Sequence, residues 1–256
     1  MRCAIATGIC VAGISVAAPV TAMAPPHWSP DVAAARHYLT TRAGMVSFAV
    51  RTERRQWSFH GLRVVPSASV LKAMLMVAYL NRREVRDRPL RDRDLDLLRP
   101  MIRRSDNTTA SYIRNLVGNR GLRRLARRVG MRRFSPVAHP WGNSLVNAAD
   151  QSRFFLHLER FVPRRHRRRA LRLLHSIIPA QRWGVAQVAP RGWELYFKGG
   201  WGSGTGAVDH QVALLRRGPL RVSVAVMTTA DGSHAYGKAT LRGVFRRLLR
   251  GLSRVQ

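Results

Sequence analysis

The sequence predicts an α+β fold, an antiparallel sheet flanked by terminal helices with an all-α lobe inserted into it. Three observations lead there. Strand character occurs early in the chain and returns only near its end, the long stretch between is helical in pattern, and helices stand at both ends, the last of them amphipathic. At 256 residues, 46% of them hydrophobic, the chain is long enough to bury its own core, which excludes disorder as its main state.

Residues 1–24 read as Met1 and Arg2 followed by an apolar run rich in Ala, Val and Ile, closing on Ala22 and Ala24. This is the pattern of a secretory signal peptide, cleaved after Ala22 or Ala24, with Pro25 disfavouring the second site. An uncleaved anchor is the competing reading, since residues 3–24 are about long enough to span a bilayer; Gly8, Gly13, Ser15, Pro19 and Thr21 weaken it. Either way the chain is expected outside the cytoplasm, secreted or held at the wall or membrane. Both cysteines, Cys3 and Cys10, lie in this leader, so residues 25–256 form a single domain that stands on packing without disulfides.

After a Pro-rich joint, residues 31–42 suit a short helix, residues 45–50 a strand and residues 57–62 its hairpin partner. Residues 69–80 are almost uninterruptedly apolar, and their length and their Ala and Met content favour a buried helix. Helical signals follow around Leu95, Leu97 and Leu98, at 110–117, at 122–129 closed by Gly130, at 150–161 and at 167–178. Strands return at 193–197, 208–215 and 220–228, and an amphipathic helix spans 237–252. The expected lobes are an α/β part of about 27–66 plus 190–256 and a helical part of about 67–189.

Charge is lopsided: 45 Lys+Arg against 13 Asp+Glu give a formal +32. Such a field attracts polyanions, and non-specific association with anionic wall polymers follows from it; no nucleic-acid motif accompanies it. The run from Pro163 to Arg169 reads as a solvated helix start. Only Lys72, Lys198 and Lys238 are lysine, so where lysine persists its deprotonatable amine is a candidate for function, because guanidinium cannot act as a base.

Ser69-Val70-Leu71-Lys72 sets a hydroxyl and an amine three residues apart on one face of the buried helix. A lysine amid so much apolar sequence pays desolvation, its pKa falls, and the neutral amine becomes able to take the serine proton. Downstream stand Ser105-Asp106-Asn107, between two helices, and Lys198-Gly199-Gly200 at a strand end. No His-Glu-x-x-His or Cys-rich zinc pattern occurs, no Gly-x-Ser-x-Gly elbow exists, and Gly202 to Gly206 lies between strands, where no phosphate loop is expected. His139, His210 and His234 show no Asp partner in the sequence and read as structural. Trp141, Trp183 and Trp201 sit beside glycines and are candidates to line the cleft, with core packing the simpler reading for the first two.

Ser-x-x-Lys, Ser-Asp-Asn and Lys-Thr/Ser-Gly, in that order, form the signature of the penicillin-recognising serine enzymes. On these motifs the chain resembles the class A β-lactamases, and more narrowly the β-lactamase-related serine hydrolases of GC-rich, actinobacterial type. The resemblance implies a β-lactamase/transpeptidase-like fold, no cofactor or metal, and a monomer acting on a small-molecule β-lactam or peptidoglycan-peptide substrate. It makes Ser69 the acylated nucleophile, Lys72 its general base and Ser105 the proton relay to the leaving nitrogen. Asn107 becomes a ligand for substrate and for Lys72, and Lys198 the cation that holds Ser105 and the substrate carboxylate. The backbone N–H groups of Ser69 and Trp201 would form the oxyanion hole, with Gly199, Gly200 and Gly202 allowing close approach of substrate.

Two departures stand out. Gly199 occupies the place where the family usually has Thr or Ser, which removes one hydroxyl for the substrate carboxylate. No Glu or Asp lies between Asn107 and Asp150, the stretch in which a class A enzyme carries the glutamate that activates deacylating water, and Asp150 reads as part of a helix start. The expected activity is therefore acylation with slow deacylation. The alternatives are a D-alanyl carboxypeptidase or other small amide or ester hydrolase, and a non-catalytic wall or polyanion-binding protein that keeps the fold.

Overall fold

The computed structural model describes residues 28–202 and 207–255. The leader proposed for residues 1–24 lies outside them. Helix α1 (Val32–Leu39) starts at Asp31, whose Oδ1 accepts the Ala34 N–H at 2.9 Å. Strands β1 (Met45–Arg51) and β2 (Gln56–Phe59) form the expected hairpin, and the short β3 (Val65–Pro66) leads to α2 (Leu71–Leu80). Every residue of α2 is buried, as an element apolar on all sides requires. Around it run α3 (Arg83–Arg86), α4 (Asp92–Arg103) and α5 (Asn107–Val129). The two helices expected at 110–117 and 122–129 are one element bent at Gly118, whose φ of +63° breaks the helical path and suits glycine.

Strand β4 (Leu145–Val146) pairs with β3, and α6 (Ala148–Leu156), α7 (Leu158–Phe161) and α8 (Arg167–His175) follow. The basic run ends up where the sequence put it, as a 3-10 turn opening α8. The chain then returns to the sheet as β5 (Glu194–Gly202), β6 (Val208–Arg217) and β7 (Leu220–Thr229), and closes with α9 (His234–Leu248).

The five-stranded sheet has the order β2-β1-β7-β6-β5, antiparallel throughout, so the early strand β1 pairs directly with the late strand β7, Phe48 opposite Val226. Period-two alternation sends β7 side chains to opposite faces. Ser223 donates to the Ser152 carbonyl of α6 at 2.6 Å on one face, and Thr228 donates to Asp231, beside the start of α9, at 2.5 Å on the other. Helix α1 packs on α9 and completes that second layer. The early hairpin, the buried helix, the closing strands and the terminal helices are those expected from sequence. Among the described residues no helix is long and apolar enough to cross a membrane.

Candidate active site

Ser69 sits in a 3-10 turn, Ala68–Val70, that runs straight into α2. Its placement is fixed from three sides. The Ser67 N–H donates to the Ser144 carbonyl at 2.8 Å. Buried His210 of β6 accepts the Thr228 N–H on Nδ1 at 3.1 Å, which leaves Nε2 to donate to the Pro66 carbonyl at 2.8 Å. From β5, Gly200 presses its backbone onto the turn so closely that a Cβ there would lie 2.7 Å from the Val70 nitrogen and 2.8 Å from that of Ser69. Only glycine permits that approach, which brings the end of β5 against the Ser69 N–H. Ala68, with φ +43°, carries backbone strain immediately before the nucleophile position.

Ser105 lies in the bend between α4 and α5, in the left-handed region at φ +58°, with Asp106 capping α5 through the Thr109 N–H at 2.7 Å. Its hydroxyl stands between two buried lysines. Lys72 Nζ donates to Ser105 Oγ at 3.1 Å and to Asn107 Oδ1 at 2.7 Å, and also bonds the Ser105 carbonyl. Lys198 Nζ donates to the same Oγ at 3.0 Å and to the Gly199 carbonyl at 2.8 Å. With two donors filling its lone pairs, the Ser105 O–H is left to donate into the cleft.

Both lysine side chains are fully buried. Burial pushes Lys72 down to about 7, with the nearby Asp106 carboxylate opposing. Burial drives Lys198 well below the ordinary lysine range, and Lys72 adds to the effect. Lys72 therefore reaches the neutral form at physiological pH, the form a general base needs. Its hydrogen bonds go to Ser105 and Asn107; none reaches Ser69 Oγ, so the direct Ser69–Lys72 contact that the three-residue spacing allows is not made in the free protein.

A cleft of about 390 Å³ opens over Ser69, with Asn107, His139, Trp141 and Trp201 among its walls. Trp183 is buried in the core, as the packing reading expects, whereas Trp141 packs partly against the core and also lines this cleft: it donates from Nε1 to Ser111 Oγ at 3.0 Å and holds its ring 5.1 Å from Lys72 Nζ. His139 is exposed in the cleft and makes no hydrogen bond among the described residues. Among the described residues that line the cleft, none is acidic and none is lysine or arginine. Asp150 is buried elsewhere, taking the Asn147 amide at 2.7 Å.

His234 is a correction, because it has an Asp partner: Nδ1 lies 2.6 Å from Asp209 Oδ1. Burial and then its neighbour Asp231 raise Asp209 to about 8, and burial and then Lys238 lower His234. His234 stacks on Trp201, ring centroids 5.4 Å apart at 23°, and Trp183 meets both edge-on. Nothing local in the sequence signals this cluster, since it joins β5, β6, α9 and the loop before β5. The Ser-x-x-Lys, Ser-Asp-Asn and Lys-Gly-Gly segments do converge: Lys72, Ser105, Asn107 and Lys198 form one hydrogen-bonded group, with Gly199, Gly200 and Trp201 on the strand beside it.

A turn-borne serine at a cleft, two buried lysines sharing one hydroxyl, and a glycine-rich edge strand pressed on the turn are the parts of a serine hydrolase. A sequence model described as the β-lactamase enzyme family matches residues 92–250, and the chain belongs to that family. No match was found among curated proteins. Solved structures agree at the level of fold. A β-lactamase from Sphaerobacter thermophilus DSM 20745 is 20% identical at a TM-score of 0.73, covering 87% of this chain and 97% of its own. A β-lactamase from Xanthomonas campestris pv. campestris is 16% identical at 0.74, with the same coverage. L2, in a complex with relebactam, is 18% identical at 0.73, covering 87% and 99%. The protein is thus a serine hydrolase of β-lactamase type.

Proposed function

We propose that the chain is an exported acyl-serine hydrolase that opens a β-lactam or a wall-peptide-like amide through an acyl-enzyme on Ser69, with deacylation as the slow step. The observation that carries this reading is the Ser105 hydroxyl, held by both lysines at 3.1 and 3.0 Å. Ser69 Oγ attacks the carbonyl carbon and its proton passes to the neutral amine of Lys72. The carbonyl oxygen takes the negative charge beside the N–H groups of Ser69 and Trp201. As the C–N bond breaks, Ser105 gives its proton to the leaving nitrogen and regains one from Lys72, so the serine proton ends on the amine product. The missing Ser69–Lys72 bond fits a catalytic contact that tightens only when substrate is bound.

Deacylation needs a base for water, and no carboxylate lines the cleft among the described residues. General-base assistance contributes about 10² to 10⁴ in rate, so the acyl-enzyme is expected to persist. His139 is the cleft imidazole left to carry the residual hydrolysis.

A fluorescent penicillin tests the reading. The native chain is expected to be labelled, Ser69→Ala to lose all label while staying folded, and Lys72→Arg to be nearly as damaged as Lys72→Ala, because arginine keeps the charge but yields no proton. Undiminished label on Ser69→Ala refutes the nucleophile, and a Lys72→Arg variant that keeps most of its acylation rate refutes the base. A chain that only binds polyanions takes no label at all.

A further inference from the structure

The resemblance that gives Lys198 a substrate carboxylate to hold also expects a hydroxyl at position 199, and the structure shows what stands there instead. A Cβ on Gly199 would lie 3.1 Å from the ring of Trp183. The backbone that carries this ring is held in place. Gln211, the cross-strand partner of Gly199, donates from Nε2 to the Trp183 carbonyl at 2.9 Å and accepts the Val185 N–H at 2.8 Å. Between them Gly184, at φ +59°, leaves the room that the Gln211 amide fills. The same face continues through Trp201 to Asp209, its partner across the strands, and to His234 and Asp231. Trp201 borders the cleft and His234 stacks on it, while Trp183 is buried behind them in the core. Lys238, on α9, is the cation nearby, and its charge acts on Asp209 and His234. Lys198 is sealed on the opposite face, its bonds going to Ser105 and Gly199.

We propose that the site acylates from amides or esters that carry no carboxylate on the leaving-group side of the scissile bond, their uncharged end resting on Trp201, which buried Trp183 backs. The inference rests on the acyl-serine reading above and names its substrate class. A carboxylate set against this wall loses its hydration beside a Lys238 charge already shared with Asp209 and His234, whereas a neutral group loses little. The contrast is sharpened by the chain as a whole: its +32 charge draws anions to the surface, yet no lysine or arginine is among the described residues lining the cleft.

The test compares a penicillin with its own methyl ester, identical in acyl group. Acylation of the full-length protein is followed by intact mass, each rate is divided by that compound's rate of alkaline hydrolysis, and high salt screens the surface field. The expected result is an ester at least about tenfold faster than the acid, a difference of roughly 1.4 kcal/mol. Labelling by both with the acid equal or faster overturns the inference and leaves the acyl-serine reading standing. Labelling by neither overturns that reading, and the inference with it. The double variant Trp183→Ala/Gly199→Thr, which opens space for a hydroxyl, is expected to move the ratio at least tenfold toward the acid; an unchanged ratio overturns the roles given to these two positions.

Discussion

The two faces of β5 differ more than any other neighbouring surfaces in the molecule. Lys198 and Gly200 point toward the helices and join a polar group bonded at nearly every atom; Gly199 and Trp201 point toward α9 and meet aromatic rings. One strand therefore separates the lysine–serine group from the aromatic cluster. The difference teaches that bond-breaking chemistry is held by short motifs, while selectivity is assembled from residues distant in sequence.

Glycine substitutions break this comparison most directly. Gly200→Ala forces a Cβ onto the backbone of the Ser69 turn, which must move, so acylation is expected to fall by about 10²-fold or more, the loss typical of a spoiled oxyanion hole. Gly199→Ala meets only the Trp183 ring at 3.1 Å, so its loss is expected to stay below about tenfold. Stopped-flow acylation of the two variants measures both, and equal effects would dissolve the distinction between the faces.

The next effect concerns water. His139, Trp141 and their neighbours line the cleft, and none of its described lining residues is acidic. His139→Glu is expected to shorten the life of the acyl-enzyme by about tenfold or more, within the range of general-base assistance. A persistence unchanged by mass spectrometry would place the hydrolytic water elsewhere.

The lysine side also predicts a pH dependence. Lys72 is pushed down to about 7, and only its neutral form takes a proton, so the acylation rate is expected to rise with pH through about 7 and level off above it. The measured value belongs to the Lys72–Lys198 pair, since each charge disfavours the other. A rate flat between pH 5 and 9, a range of roughly two units either side of that value, would remove Lys72 from the base role.

The smallest effect lies on the aromatic side. Asp209 is raised from 3.8 to about 8, so over that window the folded protein keeps a proton that the unfolded chain has released. Stability contributed by this group therefore falls as pH climbs from about 4 to about 8. Asp209→Asn mimics the protonated form and is expected to flatten that fall relative to the native chain, as thermal melts across the window would show. An identical pH slope in both proteins contradicts the raised carboxyl.

Most of the fold was legible in sequence because periodicity and burial coincide. The continuous apolar run of α2 admits one placement, alternation at 45–50 suits a strand, and the β-rich stretches at 208–215 and 220–228 between Gly-containing turns do too, although these strands are buried nearly throughout. Lys72, Ser105, Asn107 and Lys198 were legible as residue types in a fixed order. The Trp183 cluster was not, because its position depends on a Gln211 bond across the fold, and neither was the Asp209–His234 pair, whose members stand 25 residues apart. Trp141 does both things the sequence left open, its mostly apolar indole packing on the core while its N–H bonds Ser111 at the cleft.

Intact mass of the protein mixed with a β-lactam, followed over time with peptide mapping, bears most directly on Ser69 as the acylated nucleophile. The expected result is a stoichiometric adduct of protein plus intact β-lactam mass, mapped to the peptide containing Ser69, that forms quickly and decays slowly. Rapid consumption of β-lactam with no adduct, or an adduct mapped to any other residue, would contradict it.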